Sequence, residues 1–277
     1  MRVAAVQMCS GSDPAANVEA AERLVREAAR AGAGYVQIPE YSTYYGPASG
    51  NDAAAEELSG PTATRFRDLA RELGVVLHVG SMLEPSPVPG KCYNTGLVID
   101  PDGELAGVYR KVHLFDIDLP GQVVERESAD IEPGSNLCVA TAGELRIGMS
   151  ICFDLRFPEL YRQLALAGAT VMTVPAAFSV PTGRVHWEVL VRARAIENHA
   201  FVVAAAQAGV TAEGMATYGH SLVVGPWGEI VAEGNGEKEE VLVVDLDLAE
   251  VARRRAQIDV LGLRRPDAYH LDASEVG

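Results

Sequence analysis

Strand-like and helix-like segments alternate along this chain, and the alternation limits the possible folds more than any other feature. Val-rich residues 2–8 predict a strand, and Asp13-Pro14 supplies a helix cap followed by proline at the first helical position. Apolar residues then recur at helical spacing, glycines end the pattern, and Tyr35-Val36-Gln37-Ile38 predicts a second strand. A helix over 66–73 and a strand over 75–79 repeat this β-α-β order.

Hairpins and further helices continue the mixed pattern. Hairpins are predicted within 94–109, around Pro101-Asp102-Gly103, and within 137–151, around Ala142-Gly143. Later elements are predicted as helices over 158–168 and about 185–198, and as strands over 170–174, 201–206, 221–225 and 241–245. Residues 112–136 show no clear periodicity and predict a long loop, a kind of segment that is often functional. We expect one α/β domain over 1–277, with a mixed sheet or pair of sheets covered by helices.

Charge and cysteine usage exclude several kinds of partner. The chain has 23 Lys and Arg against 38 Asp and Glu, a formal charge of −15, spread along its length. Nucleic acids and anionic membranes need a basic face, so neither is an expected partner. The longest central apolar run is far shorter than the ~20 residues needed to cross a bilayer, and no secretion signal is visible. Scattered cysteines predict reduced thiols in the cytoplasm; they are Cys9, Cys92, Cys138 and Cys152.

Three reactive side chains follow strand-like runs, where an α/β fold places its ligand crevice. They are Glu40, Lys111 and Cys152. Cys152 lies at a predicted strand-to-helix turn, whose backbone N–H groups favour a thiolate and can hold an oxyanion. Glu40 follows a proline and apolar positions, and partial burial there suits a general base. Each residue alone has an ordinary structural explanation, so only the combination is informative.

Three motifs in order resemble the nitrilase superfamily of carbon–nitrogen hydrolases over nearly the whole chain. They are Ile38-Pro39-Glu40, the segment 109–116 (YRKVHLFD) and the segment 150–159 (SICFDLRFPE). Four further segments resemble the branch that contains omega-amidases and deaminated glutathione amidases. They are residues 177–183, 186–188, 218–221 and 226–228.

The resemblance implies a Glu–Lys–Cys catalytic set at Glu40, Lys111 and Cys152. It further implies an assisting glutamate, for which Glu127 fits, 16 residues after the lysine. Cys152 is expected to attack an amide and form a thioester, with Glu40 as base, while Lys111 and the Phe153 backbone N–H stabilise the oxyanion. The implied fold is an α-β-β-α sandwich of two mixed sheets covered by helices, which associates through its helical layer into homodimers or larger homo-oligomers.

The substrate expected from this branch is a small carboxylate-bearing amide, hydrolysed to acid and ammonia without a metal or other cofactor. Arg184 is a candidate for the substrate carboxylate, since arginine binds carboxylates in a fork. Other rim candidates are close in sequence to the motifs; they are Tyr41, Tyr45, Phe178, Thr182 and Trp187.

Several alternatives stay open at this point. An N-carbamoyl compound or a nitrile would use the same Glu–Lys–Cys set, and a non-catalytic binding or scaffold protein would use the same fold. The spacing also leaves open a Cys–His glutaminase, because partners in such a site need not be close in sequence. A metal hydrolase has little support, because no HExxH or paired-cysteine spacing accompanies the histidines; they are His78, His113, His186, His199, His220 and His270.

Overall fold

The computed structural model describes residues 1–269 of the chain. His270 and the predicted domain boundary at residue 277 lie outside the described residues. Within residues 1–269, no helix combines the length and apolar character that crossing a bilayer requires.

The described residues form sixteen strands and six α-helices. The strands are β1 (Arg2–Gln7), β2 (Tyr35–Gln37), β3 (Val76–Pro85), β4 (Cys92–Ile99), β5 (Leu105–Arg110), β6 (Asp116–Leu119), β7 (Val123–Arg126), β8 (Val139–Ala142), β9 (Leu145–Gly148), β10 (Val171–Thr173), β11 (Phe201–Ala204), β12 (Ala208–Val210), β13 (Ala216–Tyr218), β14 (Leu222–Val224), β15 (Ile230–Glu233) and β16 (Glu240–Asp245). The helices are α1 (Pro14–Arg30), α2 (Asn51–Ala54), α3 (Pro61–Leu73), α4 (Pro158–Leu166), α5 (Val180–Asn198) and α6 (Ala249–Gln257).

Two six-stranded mixed sheets form the framework. The first has the order β16-β1-β2-β3-β4-β5, and the second has the order β15-β14-β11-β10-β9-β8. Strands β1, β2 and β3 are parallel, as are β9, β10 and β11, and the outer strands of both sheets pair antiparallel. Two separate hairpins, β6–β7 and β12–β13, lie outside these sheets.

Alternating side chains of β1 show how the layers stack. Val3 and Ala5 pack into the core shared with the second sheet, whereas Ala4 and Val6 pack into the core shared with α1 and α3. Successive side chains of a strand point to opposite faces, so this sheet is covered on both sides. Helices α4 and α5 add their apolar residues to the core of the second sheet. The order of layers is α-β-β-α, and the predicted fold class is confirmed.

Helix α1 follows directly from its sequence. The Asp13 side chain accepts hydrogen bonds from the N–H groups of Ala15 and Ala16, and Pro14 opens the helix. These contacts satisfy backbone donors that the first turn otherwise leaves unpaired. One stripe of apolar side chains, from Val18 to Ala28, then faces the first sheet. The predicted β-α-β opening is confirmed.

Other parts of the structure differ from the sequence-based expectations. Helix α5 begins at Val180 rather than at about Val185, because Pro181 fits the first helical turn and the Gly183 N–H already donates to the Ser179 carbonyl. The predicted loop over 112–136 contains the β6–β7 hairpin, whose mostly exposed residues show no buried alternation. The sequence patterns also do not predict α6, β12, β13 or β15.

Gly80 brings β3 unusually close to the segment that leads to Glu40. The pairing of β3 with β4 shifts register between Val79 and Met82, and Gly80 lies within this irregular stretch. A Cβ atom on Gly80 would lie 2.1 Å from the Ile38 carbonyl oxygen and 2.4 Å from that of Pro39. Both neighbours are backbone atoms, so no side-chain rotation relieves the contact.

We therefore expect Gly80→Ala to displace residues 38–40 and to lower the free energy of unfolding by about 1–3 kcal/mol, the usual cost of overpacking. Urea denaturation measures this change. Gly11→Ala is the control, since no neighbouring atom lies within 4 Å of the added Cβ. Equal urea midpoints for the two variants would contradict the close approach.

Candidate active site

Three strands end at one cavity of about 580 Å³. Glu40 follows β2 after Ile38-Pro39, Lys111 directly follows β5, and Cys152 follows β9 after three residues. Glu127, in a short 3-10 turn after β7, reaches the same cavity. The structure brings together the four residues that the resemblance implies.

The Lys111 ammonium lies between two carboxylates. Its Nζ donates to Glu40 Oε1 at 2.9 Å and to Glu127 Oε1 and Oε2 at 2.9 and 2.8 Å. The lysine side chain is 2% exposed. Burial alone lowers the pKa of Lys111, but the charges of Glu127 and Glu40 raise it well above its usual value. The lysine therefore stays a cation.

The two oxygens of the Glu40 carboxylate differ in the number of hydrogen bonds that they accept. Oε1 accepts from Lys111 and from Asn94 Nδ2 at 2.9 Å, while Oε2 accepts from the Ala177 backbone N–H at 2.8 Å. With one donor to it among residues 1–269, Oε2 can accept a further proton or hydrogen bond. This geometry suits a general base.

Glu127 is more completely hydrogen-bonded than Glu40. Besides Lys111, its Oε1 accepts from the Tyr41 hydroxyl at 2.8 Å, and its Oε2 accepts from the Phe115 N–H at 2.5 Å. Asn94 Nδ2 also approaches Oε1 at 3.4 Å. With these donors in place, Glu127 suits an orienting role rather than proton transfer.

Cys152 begins a 3-10 turn in a left-handed backbone conformation, with φ 47°. A non-glycine residue rarely adopts this conformation, which is common at active sites. Its own N–H donates to the Pro175 carbonyl at 2.9 Å. The first bond of the turn runs from Asp154 N to the Ile151 carbonyl, so the Phe153 N–H lies before the bonded part of the turn.

Burial and the neighbouring Glu40 charge favour the protonated thiol of Cys152 over the thiolate. Burial raises the pKa of Cys152 well above its usual value, and the Glu40 charge adds to this effect while Lys111 opposes it. A protonated thiol needs a base before it can attack. Glu40 is the neighbouring carboxylate that can act as this base.

Asp154 connects the turn that bears the thiol to the segment that bears Lys111. Its buried carboxylate accepts from the Tyr109 hydroxyl at 2.7 Å and from Ile151 N at 2.9 Å. It also binds the backbone N–H and the Nδ1 of His113, at 3.0 and 2.7 Å. Tyr109 and His113 flank Lys111 by two residues on each side, so one carboxylate fixes the lysine relative to the thiol. Sequence reasoning included Asp154 in a motif without giving it a role.

The structure separates the predicted rim residues into two groups. Tyr41, Tyr45, Phe178 and Thr182 line the cavity. Trp187 does not line it: this side chain is buried, and its Nε1 donates to the His220 carbonyl.

The prediction that Arg184 lies in the site is wrong. Arg184 is exposed, outside the cavity lining. Helix α5 already includes Thr182, and residues two apart on a helix point in nearly opposite directions. With Thr182 facing the cavity, Arg184 faces away.

A different arginine, which sequence reasoning missed, packs against two rings of the cavity lining although it is not itself part of that lining. The Arg156 guanidinium carbon is 5.3 Å from the Phe153 ring centre and 5.2 Å from that of Phe178, and both rings line the cavity. Its Nη1 contacts His186 Nδ1 at 3.1 Å, while Nε and Nη2 are buried with no partner among residues 1–269. Its place in the third motif, four residues after Cys152, was the available signal.

No histidine of the described residues lines the cavity. His113, the histidine closest in sequence to the lysine, is bonded to Asp154 instead. The arrangement favours the Glu–Lys–Cys reading over a Cys–His glutaminase.

A family model described as carbon-nitrogen hydrolase matches residues 2–256. The chain belongs to the carbon-nitrogen hydrolase family. Omega-amidase NIT2 of Pongo abelii is 38% identical over 276 residues, which cover 98% of this chain and 97% of that protein.

Solved structures of carbon-nitrogen hydrolases agree with this assignment. The Caenorhabditis elegans NitFhit protein superposes with a TM-score of 0.86 and 35% identity, covering 97% of this chain and 66% of that longer chain. Saccharomyces cerevisiae Nit3, a member of branch 10 of the nitrilase superfamily, gives 0.85 and 31% identity, covering 97% of both chains. The resemblance to the nitrilase superfamily is confirmed, and the chain is an enzyme that hydrolyses amide C–N bonds.

Proposed function

We propose that this carbon-nitrogen hydrolase cleaves the terminal amide of a small carboxylate-bearing substrate through a thioester on Cys152, releasing ammonia as an omega-amidase does. The observation that carries the proposal is the arrangement of Cys152 beside Lys111, itself held between Glu40 and Glu127. The 38% identity to an omega-amidase supports the choice of substrate class.

Acylation begins with proton transfer from Cys152 to Glu40. The sulfur attacks the amide carbon and forms a tetrahedral intermediate. Glu40 then gives its proton to the amide nitrogen and the C–N bond breaks. Ammonia departs, and the acyl group remains on Cys152 as a thioester.

Deacylation reverses these roles with water as the nucleophile. Glu40 takes a proton from the water, whose oxygen attacks the thioester carbon. When the C–S bond breaks, the carboxylic acid product leaves and Glu40 returns its proton to the sulfur. The site is regenerated without any other reactant.

Both tetrahedral intermediates carry an oxyanion that needs fixed donors. The Lys111 ammonium and the Phe153 N–H supply them. Loss of one such donor typically lowers kcat by about 10²–10³-fold. Glu127 holds Lys111 in place for this task, at 2.8 Å from Nζ.

Arg156, rather than Arg184, is the residue we propose for the substrate carboxylate. Burial lowers the pKa of Arg156, with a smaller opposing effect from Cys152. The half-buried Arg156 guanidinium has two buried nitrogens with no partner among residues 1–269, so a bound carboxylate would supply both charge neutralisation and hydrogen bonds.

The cavity volume favours a second, longer substrate of the same chemistry. The cavity volume of about 580 Å³ lies well inside the range of pocket volumes that hold drug-sized ligands. It exceeds the space that a five-carbon amide needs. Deaminated glutathione, a longer amide acid whose hydrolysis releases the amine of cysteinylglycine instead of ammonia, is therefore the second candidate.

Cys152→Ala should abolish ammonia release, because the variant has no nucleophile. The measurement compares ammonia release from alpha-keto amides, N-carbamoyl amino acids and nitriles with cysteinylglycine release from deaminated glutathione. Intact-mass detection of the thioester on the unaltered enzyme accompanies it. Cys138→Ala is the matched control, as Cys138 does not line the cavity. Full amidase activity in Cys152→Ala would refute the mechanism, and inactivity of the unaltered enzyme on every compound would favour a scaffold role.

Arg156→Gln should raise the KM for a carboxylate-bearing amide about 10–100-fold, the value of a hydrogen bond to a charged group. The KM for the corresponding methyl ester should change little. Arg184→Gln serves as the control and should leave both values unchanged. An equal loss on the acid and on the ester would show that Arg156 has no special role toward the carboxylate.

We further propose a homodimer, or a larger homo-oligomer built on it, that forms through α5. Val185, Val189 and Ile196 are 66%, 65% and 46% exposed and lie along one face of this helix. Such spacing makes an apolar stripe on a charged helix, a typical association surface. We also propose that residues 1–277 form one domain, which the family match over residues 2–256 supports. A cytoplasmic location is proposed as well, and the four free cysteines support it.

Light scattering should therefore give at least twice the mass of 29.4 kDa. Val189→Glu should shift the protein toward monomer, since it buries a charge in the proposed contact. Val124→Glu is the control, being equally apolar and 61% exposed on β7. A monomer for the unaltered protein would refute the proposal.

A further inference from the structure

Tyr41 has an unusual backbone conformation directly beside Glu40. Its φ is 53°, in the left-handed region that non-glycine residues rarely adopt. In an extended strand, successive side chains point to opposite faces. The turn at Tyr41 instead allows Glu40 and Tyr41 to line the same cavity.

Strand β3 and the segment between β11 and β12 hold this conformation in place. The Tyr41 N–H donates to the Ser81 hydroxyl at 2.8 Å, and the Ser42 N–H donates to the Ser81 carbonyl at 3.1 Å. The Glu40 carbonyl accepts from Gln207 Nε2 at 2.9 Å. A strained residue that its surroundings fix so fully is a candidate for a functional role.

The Tyr41 hydroxyl is bonded to the second glutamate. It donates to Glu127 Oε1 at 2.8 Å, the oxygen that also accepts from Lys111 at 2.9 Å. Burial raises the pKa of Tyr41 well above its usual value, and the charges of Glu127 and Glu40 raise it further. The phenol therefore remains a donor throughout the reaction.

We propose that Tyr41 is a positioning residue that acts through Glu127 to keep the Lys111 ammonium shared between Glu127 and Glu40. Its hydroxyl compensates part of the Glu127 charge, so that Lys111 is not drawn entirely to this carboxylate. The ammonium then remains near the Cys152 sulfur, where it stabilises the thiolate and the oxyanion. This inference rests on the proposed function and adds to it a residue whose effect is indirect.

The test compares Tyr41→Phe with Tyr35→Phe. Tyr35→Phe is the matched control, because it also removes a buried phenol, one bonded to His78 Nδ1 at 3.1 Å, away from the cavity lining. Tyr41→Phe keeps the aromatic ring, so KM should stay within about twofold while kcat falls about 10–100-fold, as for loss of a hydrogen bond to a charged group. Tyr35→Phe should leave both constants within about twofold.

A double-mutant cycle distinguishes a role through Glu127 from a general structural role. If Tyr41 acts through Glu127, Tyr41→Phe should cost no further activity in a Glu127→Gln background. Additive losses in the cycle, or an unchanged kcat in Tyr41→Phe, would overturn the proposal.

Alkylation of Cys152 by iodoacetamide, followed by peptide mass analysis that separates this thiol from the exposed Cys9, tests the proposal without any amide substrate. The rate should fall about tenfold in Tyr41→Phe, since a one-unit rise in the thiol pKa lowers the thiolate fraction tenfold at a pH below it. It should not change in Tyr35→Phe. Equal alkylation rates in the unaltered protein and both variants would overturn the inference. If the alkylation rates differ as expected but no amide is hydrolysed, the result would count against the proposed function alone.

Discussion

The active site depends on one buried ammonium. Lys111 is 2% exposed and is bonded to both Glu40 and Glu127. A buried charge is tolerated only when it is paired and hydrogen-bonded, and removing a partner typically costs about 3–5 kcal/mol. Each carboxylate is in turn held by a backbone donor, Ala177 N–H for Glu40 and Phe115 N–H for Glu127. The lysine thereby sets the positions of groups from distant parts of the chain.

These groups come from both sheets. Glu40 and Lys111 follow strands of the first sheet, while Cys152 follows β9 of the second. The distance between base and thiol therefore depends on how the two sheets pack. Asp154 crosses the same boundary, because its carboxylate accepts from the Tyr109 hydroxyl of β5. Side-chain packing between the sheets and polar contacts at the strand ends thus determine one geometry together.

Strong periodicity made much of the fold predictable from sequence. The cap at Asp13 and the apolar stripe of α1 are local signals, and they predict this helix correctly. The β6–β7 hairpin has exposed, irregular residues, so its pairing depends on contacts that no local pattern reveals.

The site was predictable where it depends on strand ends and motifs, but not where it depends on helix phase. The prediction of Arg184 as a site residue fails because α5 already begins at Val180, which directs this side chain outward. Asn94 and Asp154 were missed as site residues because their roles arise from partners far away in sequence, such as Glu40 and Tyr109. Such long-range hydrogen bonds have no signature in a single sequence.

The burial of the Cys152 thiol has a consequence for how the enzyme withstands oxidation. Peroxides react with thiolates, and Cys152 is 5% exposed. Burial and Glu40 raise its pKa, while Lys111 opposes this effect. The resting sulfur is therefore a poor target for conversion to sulfenic acid. Cys152 becomes reactive when Glu40 takes the thiol proton during turnover. The burial that lowers the reactivity of the resting thiol therefore also protects it from oxidation.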